Sequence, residues 1–148
     1  MEQYIYVGIV SCVGLLVYYF TLFKAGSARS KFKIKAPSHS GPPEYECYVR
    51  AHQNTLQHLV LFLPGIWLFA WAVDPIWAAG IGAIWPVGRL WYALGYYSAP
   101  EKRGKGLLLS MPPIYIFVLG SLIGFVLKLT WHDDRAAQPP GIRLTRCG

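Results

Sequence analysis

The stretch that decides the fold is residues 50–73, RAHQNTLQHLVLFLPGIWLFAWAV, in which a polar run leads directly into an apolar one. On a helix with about 100° per residue, five of the polar side chains share one face within roughly 140°, while His52 points the other way. The five are Arg50, Gln53, Asn54, Gln57 and His58. If the apolar residues enter a bilayer, this face lies at or just inside the membrane surface, where an unpaired amide or guanidinium is expensive to keep. The face therefore predicts a polar ligand.

The composition of the whole chain is that of a membrane protein. Of its 148 residues, 54% are apolar and 14% are charged, whereas an ordinary soluble domain has about 25% charged residues. Residues 4–23 carry no formal charge, and as a helix they would be about 30 Å long, enough to cross the hydrocarbon core. A signal peptide would have its basic residues before such a run, but here they follow it. We therefore interpret residues 4–23 as a permanent span.

Three further apolar segments complete a prediction of four spans. The second span covers residues 44–73, the third covers 76–97, and a fourth helix runs from about residue 99 to 129. Ser98 and Glu101 have the spacing of a capping box, with Ser98 as the N-cap of the fourth helix. The predicted fold class is all-α: an integral membrane four-helix bundle.

The segments outside the spans set the domain boundaries and the topology. We assign residues 1–130 to one four-span membrane domain and residues 131–148, which have no hydrophobic periodicity, to a disordered C-terminal tail. The connector 24–46 is predicted to be a basic loop whose second half is ordered by prolines. Most of the net charge of +7 lies in this connector and in the loop at 102–105, as in cytoplasmic loops, which places both termini on the opposite side. No nucleic-acid-binding module accompanies the charge, so no nucleic acid is predicted as a partner.

A second polar stripe lies near the cytoplasmic end of the third span. Arg89, Tyr92 and Tyr96 fall within roughly 60° of one another on a helix, although an aromatic belt with one snorkelling arginine would look the same. Arg103 stands in the opening turns of the fourth helix, where backbone amides favour an anion. Together with the face on the second span, these groups suit a small anion with several carboxylates at the edge of an apolar space. A free thiol has a pKa near 8.5, and a guanidinium such as that of Arg103 would lower the pKa of a thiol bound beside it.

Four segments together resemble the MAPEG family of membrane proteins, which includes the microsomal glutathione transferases and leukotriene C synthase. They are SARSKFK at 27–33, GPPEYE at 41–46, RAHQNT at 50–55 and GRLWYALGYY at 88–97, and the similarity extends over residues 1–129. The resemblance implies a homotrimer of four-helix bundles with glutathione, as co-substrate, bound between neighbouring subunits. A lipophilic electrophile would approach from the membrane lipid.

The resemblance also implies roles for individual residues. Arg103 would be the catalytic residue that activates the thiol of glutathione, and Arg89 would support the site from behind. The predicted glutathione-binding residues are Arg29, Arg50, Gln53, Asn54, Gln57, His58, Tyr92 and Tyr96. Gln57 replaces a glutamate that many relatives carry, and His58 replaces a usual tyrosine. Ser30 replaces a second arginine that leukotriene C synthase uses in its own reaction, so this chain resembles the broader transferases.

The predicted function is a membrane-bound glutathione transferase, with glutathione-dependent peroxidase activity as an additional reaction. The membrane is predicted to be the endoplasmic reticulum or a bacterial inner membrane. The alternatives are a non-catalytic lipid-binding scaffold resembling lipoxygenase-activating protein, and a small membrane subunit whose polar residues only mark the interface. No metal is predicted, because His52 and His58 diverge by about 120° on a helix and no third ligand is evident. Cys47 has no acid/base pair at a recognisable distance and is treated as structural.

Overall fold

The computed structural model describes residues 2–136 and confirms an all-helical membrane protein. Its helices are α1 (Gln3–Lys31), α2 (Pro43–Ala72), α3 (Pro75–Gly82), α4 (Ile84–Ser98) and α5 (Gly104–Ala136), with a 3-10 turn at Pro100–Arg103 before α5. In the described part of the chain, α1, α2 and the segment Glu101–Trp131 are each long and apolar enough to cross a membrane. The span predicted at 4–23 lies in α1, the one at 44–73 lies in α2 except for its last residue, and most of the one at 99–129 lies in α5.

The first helix is longer than the sequence predicted, and the connector is correspondingly shorter. α1 continues to Lys31, so the first part of the predicted loop 24–46 is helical. Tertiary packing accounts for the extension, because Ala28 is only 4% exposed and lies in a small apolar cluster with Tyr45 and Val49 of α2. Burial of this face stabilises about two further turns of α1 after the membrane run has ended.

The third predicted span is not one helix but two. α3 ends at Gly82 and α4 begins at Ile84, with Ala83 between them. Pro86 explains the break, since proline has no N–H to donate to the carbonyl four residues earlier, on Gly82, and its ring crowds that carbonyl. The span predicted at 76–97 is therefore divided between two helices at Ala83.

The short turn between α2 and α3 is fixed by Asp74. Its Oδ1 accepts hydrogen bonds from the backbone N–H groups of Ile76 (2.8 Å) and Trp77 (3.0 Å). These are two of the donors that a helix N-terminus leaves without intrahelical partners. Asp74 is thus the N-cap of α3.

We expect Asp74→Ala to destabilise the protein by about 1 kcal/mol, the usual cost of removing an N-cap side chain. For a chain of this size, the midpoint of thermal unfolding in detergent should fall by about 2–4 °C. Asp74→Asn keeps a side-chain oxygen that can accept the same bonds and should leave the midpoint nearly unchanged. Equal losses in the two variants would contradict the capping role.

The turn between α4 and α5 differs from the predicted capping box. Ser98 is the last residue of α4, and its hydroxyl donates to the carbonyl of Leu94 at 3.1 Å. The N-cap position is instead taken by Ala99, whose extended backbone (φ −163°, ψ 135°) turns the chain into the 3-10 turn. A serine hydroxyl can bond either to a following amide or back to its own helix, and here the second arrangement occurs.

The interior of the bundle is a stack of aromatic rings. Phe62 of α2 lies parallel to Trp85 of α4 with ring centroids 4.2 Å apart, and Phe117 of α5 packs at an angle against Phe62. All three side chains are fully buried. The outer surface is also apolar, with Leu16 67% and Trp77 68% exposed, as expected of side chains that face lipid. The core therefore joins α2, α4 and α5.

The helices α4 and α5 approach each other at glycines. A Cβ added to Gly106 would overlap backbone atoms of Tyr92 and lie 2.8 Å from the carbonyl oxygen of Gly88. A Cβ on Gly95 would be 2.8 Å from the carbonyl oxygen of Lys102. Small residues allow such close helix contacts in membranes, and these two bring the 3-10 turn and the start of α5 against α4.

The predicted C-terminal tail is only partly covered by the structure. Residues 131–136 continue α5 as a helix, whereas residues 137–148 lie outside the described residues. The sidedness predicted from the basic loops stays a prediction.

Candidate functional site

A cleft of about 720 Å³ opens between α2, α4 and the beginning of α5. Eight of the ten residues singled out from the sequence line it: Arg50, Gln53, Asn54, Gln57, His58, Tyr92, Tyr96 and Arg103. The first five come from the polar face of α2, which is helical throughout this stretch. The cleft therefore brings together two polar faces that the sequence could place only on separate helices.

One wall of the cleft is held by a bond between α2 and α4. The side-chain amide of Asn54 donates to the hydroxyl oxygen of Tyr92 at 2.7 Å, and Tyr92 is only 2% exposed. Because that oxygen accepts the bond from Asn54, the phenolic O–H of Tyr92 is left to donate elsewhere. The bond fixes the position of a donor in the wall of the cleft.

A second pair, Arg103 and Tyr96, joins the 3-10 turn to α4. Arg103 Nη1 donates to the hydroxyl oxygen of Tyr96 at 2.9 Å, and the guanidinium carbon lies 5.1 Å from the centre of the Tyr96 ring. Tyr96 is buried and Arg103 is exposed. A permanent positive charge and a phenolic O–H are thus placed side by side on the wall of the cleft, an arrangement that stabilises an anion.

Arg89 does not line the cleft but lies directly behind it. Its side chain is fully buried, with the guanidinium carbon 4.2 Å from the centre of the Tyr92 ring. Its Nη2 donates to the hydroxyl of Thr55 at 3.0 Å. Arg89 thus lies behind Tyr92 and outside the cleft lining, and its predicted supporting role stays a prediction. Sequence reasoning missed Thr55, because an isolated threonine in an apolar helix carries no distinctive pattern.

Arg29 is the other predicted residue that the cleft of this chain does not include. It lies near the end of α1, where its Nη2 is 3.5 Å from Nδ1 of His39. His39 and its neighbour Ser40 line the cleft, so Arg29 reaches the site only through the loop before α2. Its predicted contact with glutathione stays a prediction.

Glu46 is the charged residue of the cleft that the sequence analysis overlooked. Its carboxylate is 3.3 Å from the guanidinium of Arg50, one helical turn later on α2. The i, i+4 spacing of opposite charges is a recognised helix pattern, so the sequence did contain a signal. Apolar side chains also line the cleft, namely Val49, Leu107 and Met111.

Of the three residues considered for metal binding or covalent chemistry, His58 lines the cleft, whereas His52 and Cys47 do not. His52 stacks on Tyr18 of α1 with ring centroids 5.2 Å apart, on the side away from the cleft as the helical spacing predicted. Cys47 packs against the buried cluster that contains Tyr92 and Tyr96. Among the side chains that the structure describes, no three from His, Cys, Asp or Glu are grouped so that they could hold a metal ion.

Comparison with known proteins supports the resemblance stated from the sequence. The model of the MAPEG family matches residues 7–123. An uncharacterized protein of Synechocystis is 38% identical over 82% of this chain and 88% of its own. Microsomal glutathione S-transferase 2 of Mus musculus is 34% identical over 80% of this chain and 84% of its own. Leukotriene C4 synthase of Bos taurus is 28% identical over 86% of this chain and 85% of its own. The family match covers most of the chain, and the relatives match it over most of their own length: this protein belongs to the MAPEG family.

Proposed function

We propose that this protein is a membrane-bound glutathione transferase whose cleft binds glutathione and whose Arg103 stabilises the thiolate. The observation that carries the proposal is the Arg103–Tyr96 pair, with 2.9 Å between guanidinium nitrogen and phenolic oxygen, in a cleft lined by hydrogen-bonding groups of α2. Arginine stays charged at every accessible pH. It therefore favours a thiolate over a thiol whenever the sulfur lies beside it.

The rest of the cleft suits the remainder of the glutathione molecule. Glutathione carries two carboxylates and two peptide groups. Arg50 provides a cation for a carboxylate, while the side-chain amides of Gln53, Asn54 and Gln57 can both donate to and accept from peptide groups. The Gln57 amide is neutral, so it offers less to the ammonium of glutathione than the glutamate that many relatives carry.

Tyr96 completes the site for the sulfur atom. Its oxygen accepts the bond from Arg103, so its own O–H can donate to the thiolate, as an oxyanion hole donates to an oxyanion. The thiolate then attacks an electrophilic carbon and forms a C–S bond, and the leaving group departs with the electron pair of the bond that breaks. With a hydroperoxide, the same thiolate attacks oxygen, and a second glutathione completes reduction to an alcohol and water with formation of glutathione disulfide.

The position of the cleft explains how a lipophilic substrate would arrive. Val49, Leu107 and Met111 give it an apolar edge, and the surrounding helix surfaces expose large apolar side chains. A lipophilic electrophile dissolves in the bilayer and reaches the sulfur without crossing water. The membrane would be the endoplasmic reticulum or a bacterial inner membrane.

The proposal includes a homotrimer. Arg29 does not line the cleft of its own chain, which agrees with a role in the cleft of a neighbouring subunit. The mass of the detergent-purified protein, measured with correction for bound detergent, tests this part.

Glutathione added to the detergent-purified protein is expected to show the ultraviolet absorbance band of a thiolate at neutral pH. The physical reason is the lowered thiol pKa beside a guanidinium. S-methylglutathione, which has no thiol proton to lose, serves as the matched control and should show no such band. Conjugation of an aryl halide should accompany the band.

The absence of both the band and the conjugation would contradict the proposal. If a lipid ligand still bound under those conditions, the protein would be a scaffold and not a transferase.

A further inference from the structure

The cleft contains one carboxylate among the described side chains that line it, that of Glu46. Its Oε2 is 3.3 Å from Nη2 of Arg50, and the two side chains are 32% and 63% exposed respectively. Apart from the histidines, the other charged side chains that line the cleft are those of Arg50 and Arg103. The cleft thus has a single place where a positively charged group of a ligand would find an opposite charge.

Glu46 and Arg50 are arranged as a complementary pair. They are four residues apart on α2, so both side chains project from one face of the helix. Glu46 also lies in the first turn of α2, where the helix dipole favours a negative charge. An α-amino acid group carries an ammonium and a carboxylate on one carbon atom, and a neighbouring carboxylate and guanidinium match those two charges.

The other residues that line the cleft offer no carboxylate to the ammonium of a ligand. With Gln57 neutral, an ammonium elsewhere in the cleft would face Arg50 and Arg103 without a compensating carboxylate, and like charges a few ångströms apart repel. Ligand binding at the Glu46–Arg50 pair exchanges one ion pair for two. Neither protein charge is left without a partner, so the exchange avoids the penalty of an unpaired ion.

We propose that Glu46 and Arg50 together bind the α-amino acid end of the γ-glutamyl residue of glutathione. Glu46 accepts hydrogen bonds from the ammonium, and Arg50 donates to the carboxylate. This inference rests on the proposed function and adds a specificity residue to it. The cleft then selects γ-glutamyl compounds with a free amine, although Gln57 supplies no charge.

The test compares glutathione with glutaryl-cysteinyl-glycine, in which hydrogen replaces the ammonium while both carboxylates and the thiol remain. Dissociation constants are taken from titrations of the thiolate band. The parent is expected to bind glutathione about fivefold more tightly than the analogue, the effect typical of a partly exposed charge pair. Glu46→Gln should bind the two compounds equally. Glu44→Gln, which removes a nearby exposed carboxylate that does not line the cleft, should keep the preference of the parent.

Several results would overturn the inference. An equal affinity for the two compounds in the parent would do so whatever the variants show, even if Glu46→Gln failed to fold. A Glu46→Gln protein that keeps the preference would show that Glu46 makes no contact with the ammonium. One that binds both compounds more tightly would show that Glu46 only competes with the ligand for Arg50. A thiolate band without a preference contradicts only the role of Glu46, whereas no band at all contradicts the proposed function.

Discussion

Arg103→Ala is expected to abolish most of the thiolate band and to lower kcat/KM for conjugation at pH 7 by about 30-fold or more. With a thiol pKa of about 8.5, only about 3% of free glutathione is thiolate at pH 7. If Arg103 makes the thiolate the main form in the parent, its removal costs about 30-fold from ionisation alone. Loss of charge stabilisation in the transition state adds to this.

The conjugation rate of the parent and that of Arg103→Ala should depend on pH in different ways. The parent thiol, with its lowered pKa, is already ionised at neutral pH, so its rate should change little as the pH rises from 7 to 9. In Arg103→Ala the rate should rise about tenfold per pH unit until it levels off near the pKa of free glutathione. High pH therefore restores the ionisation part of the loss but not the part due to the missing guanidinium.

Two further variants separate charge from position. Lys102→Ala removes a neighbouring exposed cation that does not line the cleft and should retain the band. Arg103→Lys keeps a charge but loses the planar fork that bonds the oxygen of Tyr96, and should give an intermediate band. A full thiolate band in Arg103→Ala would refute the assignment of Arg103 as the thiolate-stabilising residue.

Gly106→Ala is expected to have the largest effect on folding, a destabilisation of about 3 kcal/mol or more. Its new Cβ would overlap backbone atoms of Tyr92 and come within 2.8 Å of the Gly88 carbonyl oxygen. Backbone in a helix cannot turn aside as a side chain can, so α4 and α5 must separate, and overpacking of this kind is costly. Thermal unfolding in detergent and the yield of folded protein measure the loss.

Gly104→Ala is the matched control on the same helix. A Cβ at Gly104 meets nothing within 4 Å, and alanine favours the helix by up to about 1 kcal/mol over glycine. This variant should be as stable as the parent or slightly more so. Equal stability of the Gly104 and Gly106 variants would show that α4 and α5 do not meet as closely as described.

The two predictions are linked through the cleft. Gly106 allows α5 to lie against α4, and this contact places the 3-10 turn that carries Arg103 beside Tyr96. A substitution that shifts α5 only slightly against α4 should therefore lower kcat/KM while it leaves the free energy of unfolding nearly unchanged. A displacement of about 1 Å is enough to cost a catalytic site much of its rate.

Local features of the sequence were sufficient to predict most of the helices of the fold. Long uncharged runs predicted α1, α2 and α5, because only a helix satisfies its own backbone within lipid. Helical periodicity placed Arg50, Asn54 and Gln57 on one face of α2 and His52 on another, since side-chain direction follows directly from 3.6 residues per turn. The break before Pro86 also had a local cause that the sequence contained, although our prediction of a span at 76–97 did not place a break there.

The sequence by itself thus determined the membrane class, the helical segments, the polar face of α2 and, through its motifs, the family. Only the tertiary structure decided that Tyr92 bonds Asn54, that Arg103 bonds Tyr96, that Arg89 lies behind the wall and that Glu46 belongs to the cleft. The reason is physical: periodicity fixes directions within one helix, whereas distances between helices depend on how side chains from distant parts of the chain pack. Here Gly95 and Gly106 allow that packing, because each lies directly against the backbone of a neighbouring segment.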